Sequence, residues 1–195
     1  RVLVVGIITL FGTSSIAANA IANNLDGLGV LPGQAMNLAI ITVIGRCVGA
    51  GDFGQAEYYA KKMMRISYII NGLCCLCVIL TLPLTLSLYG VTEEAKALGG
   101  LLVAIHCGFA IFLWPSSFCL ANVLRAANDV RFPMCVSVAS MIVFRIGLSY
   151  VLAVEMGLGA VGVWAAMVID WGARVICFVW RYVSGKWKTF YKDNL

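Results

Sequence analysis

Charge is scarce in this sequence: Asp, Glu, Lys and Arg make up 12% of its 195 residues, where a soluble domain carries about 25%. That shortage, beside a 62% hydrophobic share and a mean hydropathy of +0.95, excludes an ordinary soluble domain and places the chain in a membrane. Histidine is scarcer still. His106 is the sole example and has no acid beside it, which leaves a Ser/His/Asp hydrolase without support. Metal-ligand spacing is missing too, since Cys74-Cys75-x-Cys77 has no second cysteine pair or histidine at zinc spacing. Cys74, Cys75, Cys77, Cys107, Cys119, Cys135 and Cys177 all fall in predicted spans, where a thiol packs as a small hydrophobe. Neither a metal site, a cofactor nor enzymatic chemistry is expected.

What is present is a series of apolar runs, each reaching the roughly 20 residues that a membrane span requires. They predict spans at about 56–89, 93–126, 132–154 and 158–183 and a tail over 184–195, while residues 1–48 fit either two short spans or a partial span over 1–12 followed by a span at about 14–48. The chain begins with Arg1 and shows no signal-peptide pattern, so it reads as a fragment. Basic residues outside the spans form three clusters: Arg46, Lys61, Lys62 and Arg65; Arg125 and Arg131; Arg181, Lys186, Lys188 and Lys192. The alternate connections hold only Lys96, beside Glu93 and Glu94. This bias sets the clusters and the C-terminus on the cytoplasmic side of a multi-pass plasma-membrane protein. The formal charge of +5 is therefore read as topology in contact with lipid, not as nucleic-acid affinity.

Local signals agree with this division. Gly49-Ala-Gly-Asp52-Phe-Gly-Gln55 ends one helix on glycines and opens the next with a capping box. Glu57 and Lys61 stand at the favourable i, i+4 spacing, and Thr92 can cap the helix that starts at Glu93. Pro83 and Pro115 lie inside spans and are expected to kink them. The first fifty residues admit two readings. One has two short spans joined by an outer loop at Asn-Leu-Asp26-Gly-Leu-Gly; the other has a break at Gly12-Thr-Ser and one long helix from about Ser14 to Val48, kinked near Pro32-Gly33. In the second, Asn19, Asn23, Asp26, Gln34 and Asn37 share an arc of roughly 80°.

The stretch "GTSSIAANAIANNLDGLGVLPGQAMNLAIITVIGRCVGAGDFGQAEYYAKK" resembles the start of a lobe of the multidrug and toxic compound extrusion (MATE) transporters. "LRAANDVRFP", "FRIGLSYVLA", "GLGAVGVW" and "RYVSGKW" are similar, in order and spacing, to later segments of that family. The resemblance implies the C-terminal six-helix lobe of a twelve-helix, all-α transporter, with its first helix truncated and the N-terminal lobe of the same polypeptide missing. It also favours the long first helix. It implies export of amphipathic, cationic small molecules by alternating access, driven by a Na+ or H+ gradient. The family's coupling carboxylates lie in the first lobe or in spans seven and ten of some branches. Span ten here carries none, so the coupling site is expected mostly in the absent lobe.

Candidate substrate- or ion-binding residues are Asp26, Asn23, Asn19, Gln34 and Asn37, a polar stripe that needs water or polar partners, together with His106, which can titrate near neutral pH. The competing structural readings are a solvated loop for Asp26, interhelical hydrogen bonds for the amides, and a neutral His106 bonded to a backbone group or to Ser117. Arg145, Asp170 and Arg174 are intramembrane charges. Counting ~1.5 Å per residue sets Arg145 and Asp170 about 13 and 16 Å deep, close enough to pair as a structural clasp. Arg174 is then expected to join Asp170 or to snorkel.

Three rivals are weaker. Gly49-Ala-Gly51-Asp52 is shared with intramembrane aspartyl proteases, but these need two carboxylates close enough to share a proton, and no Tyr-Asp partner occurs. A lipid-linked sugar flippase of the same two-lobe fold is expected to have a more basic cavity than a stripe without Lys or Arg. A half-size dimeric channel or carrier is the third.

Overall fold

The computed structural model describes residues 2–189, with side chains from Val5 onward. Lys192 and the rest of the expected tail beyond 189 lie outside the described residues. The described chain is all helix: α1 Val2–Thr9, α2 Gly12–Gly49, α3 Phe53–Ser87, α4 Glu93–Ala126, α5 Arg131–Glu155 and α6 Gly159–Val183, followed by a 3₁₀ turn at Lys186–Lys188. The five from α2 to α6 are long and apolar enough to cross a membrane. The chain is thus a multi-pass, all-α membrane protein.

The break before α2 falls at Leu10 and Phe11, whose amides bond back to the Ile7 and Ile8 carbonyls, and Gly12 takes a φ of +87° that an L side chain would resist. From there α2 runs without interruption through Asp26 and Pro32 to Gly49. The outer-loop reading of residues 24–29 is not adopted, because Leu25, Gly29 and Val30 are buried against neighbouring helices and the backbone remains helical. At ~1.5 Å per residue α2 is about 57 Å long, well over a hydrocarbon core of roughly 30 Å. It therefore tilts or projects beyond the bilayer.

α2 is the spine of the lobe, with α3 and α4 packed along it. Gly33 explains one close approach: a Cβ there would stand 2.3 Å from the Trp114 ring. Gly162 allows another, where α6 presses on the Leu152 backbone of α5. The Asp52 carboxylate accepts from the Gln55 amide at 2.9 Å, and Thr92 caps α4 at Ala95, as the sequence indicates. Glu57 bonds Lys61 at 2.7 Å and also receives Lys188, which ties the chain end to α3.

Two helices depart from the α-helical repeat. Pro115 has no N–H to donate, and the chain widens into a π turn over Pro115–Cys119. Nearby, fully buried Asn71 donates to the Ala110 carbonyl at 3.1 Å, and Tyr68 and Ser116 join hydroxyls. α5 is π-helical over Met141–Leu148 and again over Val151–Glu155. The cysteines are free thiols, and Cys75 and Cys119 point weak donors at the Gly29 and Gly33 carbonyls of α2.

Candidate functional site

The middle of α2 faces α4 across a contact between two titratable side chains. Asp26 Oδ1 lies 2.7 Å from His106 Nδ1, and neither atom has another hydrogen-bond partner. His106 is 1% exposed and Asp26 19%, so the imidazole is sealed in protein while the carboxylate keeps one side open. Two indoles of α6 hold the imidazole edge-to-face, Trp171 at 4.7 Å and Trp164 at 5.3 Å between centroids. This packing fixes the ring orientation, and it comes from spacing: Trp164 and Trp171 are two turns apart on one face of α6.

The open side of Asp26 forms part of a cavity of about 920 Å³, lined also by Gln34, Asn37, Arg145 and the aromatic walls of Trp114, Phe118 and Trp171. Asn37 Oδ1 is buried here without a partner. A smaller cavity of about 220 Å³ is lined by Asn19, Asn23, Trp164, Arg145 and Met167. Arg145 and Met167 line both. The whole stripe from Asn19 to Asn37 thus faces one cavity or the other. Its upper part is also internally bonded: Asn19 Oδ1 accepts from Trp164 Nε1 at 3.1 Å and from Asn23 Nδ2 at 3.0 Å.

A chain with this lobe and this cavity matches the MatE family model over residues 2–151. The chain belongs to the MatE family. It is 25% identical to the "Uncharacterized transporter YisQ" of Bacillus subtilis over 193 residues, covering 96% of this chain and 41% of that protein. It is 22% identical to the "Probable multidrug resistance protein NorM" of Thermotoga maritima over 182 residues, covering 93% of this chain and 39% of that one. Another "Probable multidrug resistance protein NorM", from Neisseria meningitidis, is 23% identical over 180 residues, with 91% and 38% covered. The MatE chain spans about two fifths of the length of these relatives.

Within this MatE chain one expected pairing of the intramembrane charges, Asp170 with Arg174, is present, and the other is not. Asp170, fully buried, is held by Arg174 on its own helix, at 2.9 Å to Nη2 and 3.1 Å to Nε. The expected clasp between Asp170 and Arg145 is therefore corrected. An i, i+4 pair closes on a single helix whatever the neighbour's register, whereas Arg145 sits in the π-helical part of α5 and is directed to the cavities, with Nη2 3.0 Å from Met167 Sδ. Arg174 does not snorkel. It is 8% exposed, lies over the Phe118 ring, and crosses to α5 by donating to Ser140 Oγ at 2.8 Å and the Ser137 carbonyl at 3.3 Å. The anchor between the last two spans exists, with Ser137 and Ser140 in the place expected for Arg145. The Ser117 reading of His106 is likewise not adopted, since the buried Ser117 hydroxyl has no partner.

Sequence reasoning missed four features. Trp164 and Trp171 stand beside the charges of α6, and their seven-residue spacing puts both on one helix face. Asn71 is a lone amide in an apolar run, which was a usable signal. Arg145 adds a cation to a cavity that the stripe alone suggested had none. Asp129, 2% exposed, pairs with Arg181 at 2.7 Å, and its Asn128 neighbour has a φ of +68°. The "AANDVRFP" turn carried that signal in its Asn-Asp step.

Proposed function

We propose that this chain is one lobe of an antiporter that exports amphipathic, cationic drugs or metabolites by alternating access. A Na+ or H+ gradient drives it, a second lobe of the same polypeptide completes it, and the plasma membrane houses it with the C-terminus in the cytoplasm. The observation that carries this reading is the cavity of about 920 Å³ in which one carboxylate, Asp26, and one guanidinium, Arg145, stand among aromatic walls, so that a cation is drawn to the Asp26 end. Such a site attracts a cation by charge and its apolar body by burial, with cation–π attraction from the tryptophans. Membership of the MatE family and the multidrug-resistance names of two relatives support the same reading. Gln34 and Asn37 would give polar contacts to varied ligands, while Asn19 and Asn23 would line the side chamber.

The test is efflux of ethidium and norfloxacin from a pump-deficient host expressing the whole polypeptide that carries this chain, under imposed sodium and proton gradients. Gradient-dependent export supports the reading; its absence for every compound in a broad panel would overturn it.

A further inference from the structure

We propose that the outer face of α3 binds an anionic phospholipid, with the phosphate held by Tyr58, Lys62 and Arg65 and an acyl chain lying along the apolar side chains beyond. The site is on the side of the lobe away from the main cavity and does not depend on what that cavity carries. Three observations lead to it.

The first is one continuous stripe. At ~100° per residue, Tyr58, Lys62 and Arg65 share an arc of about 80° with Ile69, Leu73 and Leu80. All six are exposed. The packed face of α3, with Ala60, Met63, Ser67, Asn71 and Cys75 buried, is on the opposite side of the helix. The main cavity is lined from α2, α4, α5 and α6, so a partner that closes that cavity leaves the stripe facing lipid.

The second is the level of the charges. The 35 residues of α3 span about 52 Å at ~1.5 Å each, well over a hydrocarbon core of roughly 30 Å. From Arg65 to Leu84 the distance is about 29 Å. A bilayer centred on this apolar part therefore sets Arg65 and Lys62 among the headgroups of one leaflet, the cytoplasmic one in the orientation proposed above. Tyr58 and Tyr59, edge-to-face at 5.3 Å between centroids, stand at the same boundary, where tyrosine is favoured because its ring is apolar and its hydroxyl polar.

The third is open charge beside a groove. At the same end of the lobe Arg125 bonds Asn122, Arg181 pairs with Asp129, and Lys61 and Lys188 share Glu57. Among the described residues neither Lys62 nor Arg65 has a carboxylate partner. Both line a groove of about 540 Å³ together with Tyr58, Lys61 and Ile66. Lys62 Nζ lies 5.8 Å from the centre of the Tyr58 ring, which holds the ammonium at the groove. A guanidinium forks two phosphate oxygens and an ammonium adds a point charge. The acids nearby are engaged, Glu57 by two lysines and Asp52 by the α3 cap. No carboxylate is left for the ammonium of a zwitterionic headgroup, so the groove selects net negative charge. The apolar stripe that continues from it selects a lipid over a soluble phosphate.

The experiment uses the whole polypeptide that carries this chain, stripped of lipid in detergent, with dioleoylphosphatidylglycerol and dioleoylphosphatidylcholine as probes. Native mass spectrometry counts the lipid retained, and thermal unfolding reports its effect. The wild type should retain severalfold more phosphatidylglycerol, gain a higher unfolding midpoint from it, and lose both effects as salt rises. Lys62→Gln with Arg65→Gln should weaken that binding by about fivefold per charge removed. Arg131→Gln with Lys186→Gln takes the same charge from the same end and should leave binding near the wild-type level. Equal retention of the two lipids by the wild type would overturn the proposal. An equal loss in both double variants would do so too, since it would show a diffuse surface potential in place of a site. Glycerol 1-phosphate raising the midpoint as far as the lipid does would assign the groove to free phosphates and overturn the lipid. The wild-type arms decide the matter even where a variant does not fold.

Discussion

Arg174 donates to Ser140 at 2.8 Å across the α5–α6 interface while holding Asp170 on its own helix. One guanidinium thereby neutralises a fully buried carboxylate and fastens two spans.

Asp170→Asn leaves that guanidinium buried without its counter-charge. Removing one partner of a buried pair costs on the order of 3–5 kcal/mol. Thermal unfolding of the purified protein should show a clear drop in midpoint and yield, with export per folded molecule little changed. A larger loss of turnover than of stability would contradict the anchoring role. Replacing both partners, Asp170→Leu with Arg174→Met, should recover much of the loss.

Gly33→Ala would push a methyl group into the Trp114 ring, 2.3 Å from its nearest atom. Overpacking of this kind costs about 1–3 kcal/mol. Because Trp114 also walls the main cavity, both the unfolding midpoint and substrate affinity should fall. Trp114→Leu in the Gly33→Ala background should restore stability better than affinity. Melting curves and equilibrium binding of a fluorescent cation would separate the two.

Arg145 lines both cavities, so Arg145→Gln should change selection among substrates more than folding. Loss of a fixed positive charge favours cations and disfavours compounds with an anionic group, with efflux ratios shifting by severalfold for about 1 kcal/mol of lost Coulomb attraction. Efflux of ethidium against a zwitterionic fluoroquinolone in the same cells checks this. Equal changes for both compounds would remove Arg145 from selectivity.

Much of the fold was legible because it rests on local properties. Apolar runs of spanning length, the Asp52 and Thr92 caps and the Glu57–Lys61 pair all depend on residues within a few positions of one another, and each is present. The site was legible only in part. The 3.6-residue repeat of α2 places Asp26, Gln34 and Asn37 along one cavity and Asn19 and Asn23 along another, because α2 is helical throughout. The same counting failed for Arg145. A π turn adds a residue, which moves later side chains around the axis by about 100°, and depth counted along a helix says nothing about the direction in which a side chain points.

The sequence by itself therefore determined the membrane environment, the helical class and the polar face of α2, since composition and periodicity act without regard to partners. Only the tertiary structure decided who meets whom: His106 with Asp26, Trp164 and Trp171 around His106, and Ser140 with Arg174. Those pairings depend on how each helix is rotated and stacked in the lobe, and the close packing of Gly33 on Trp114 and of Gly162 on α5 shows how that rotation is set.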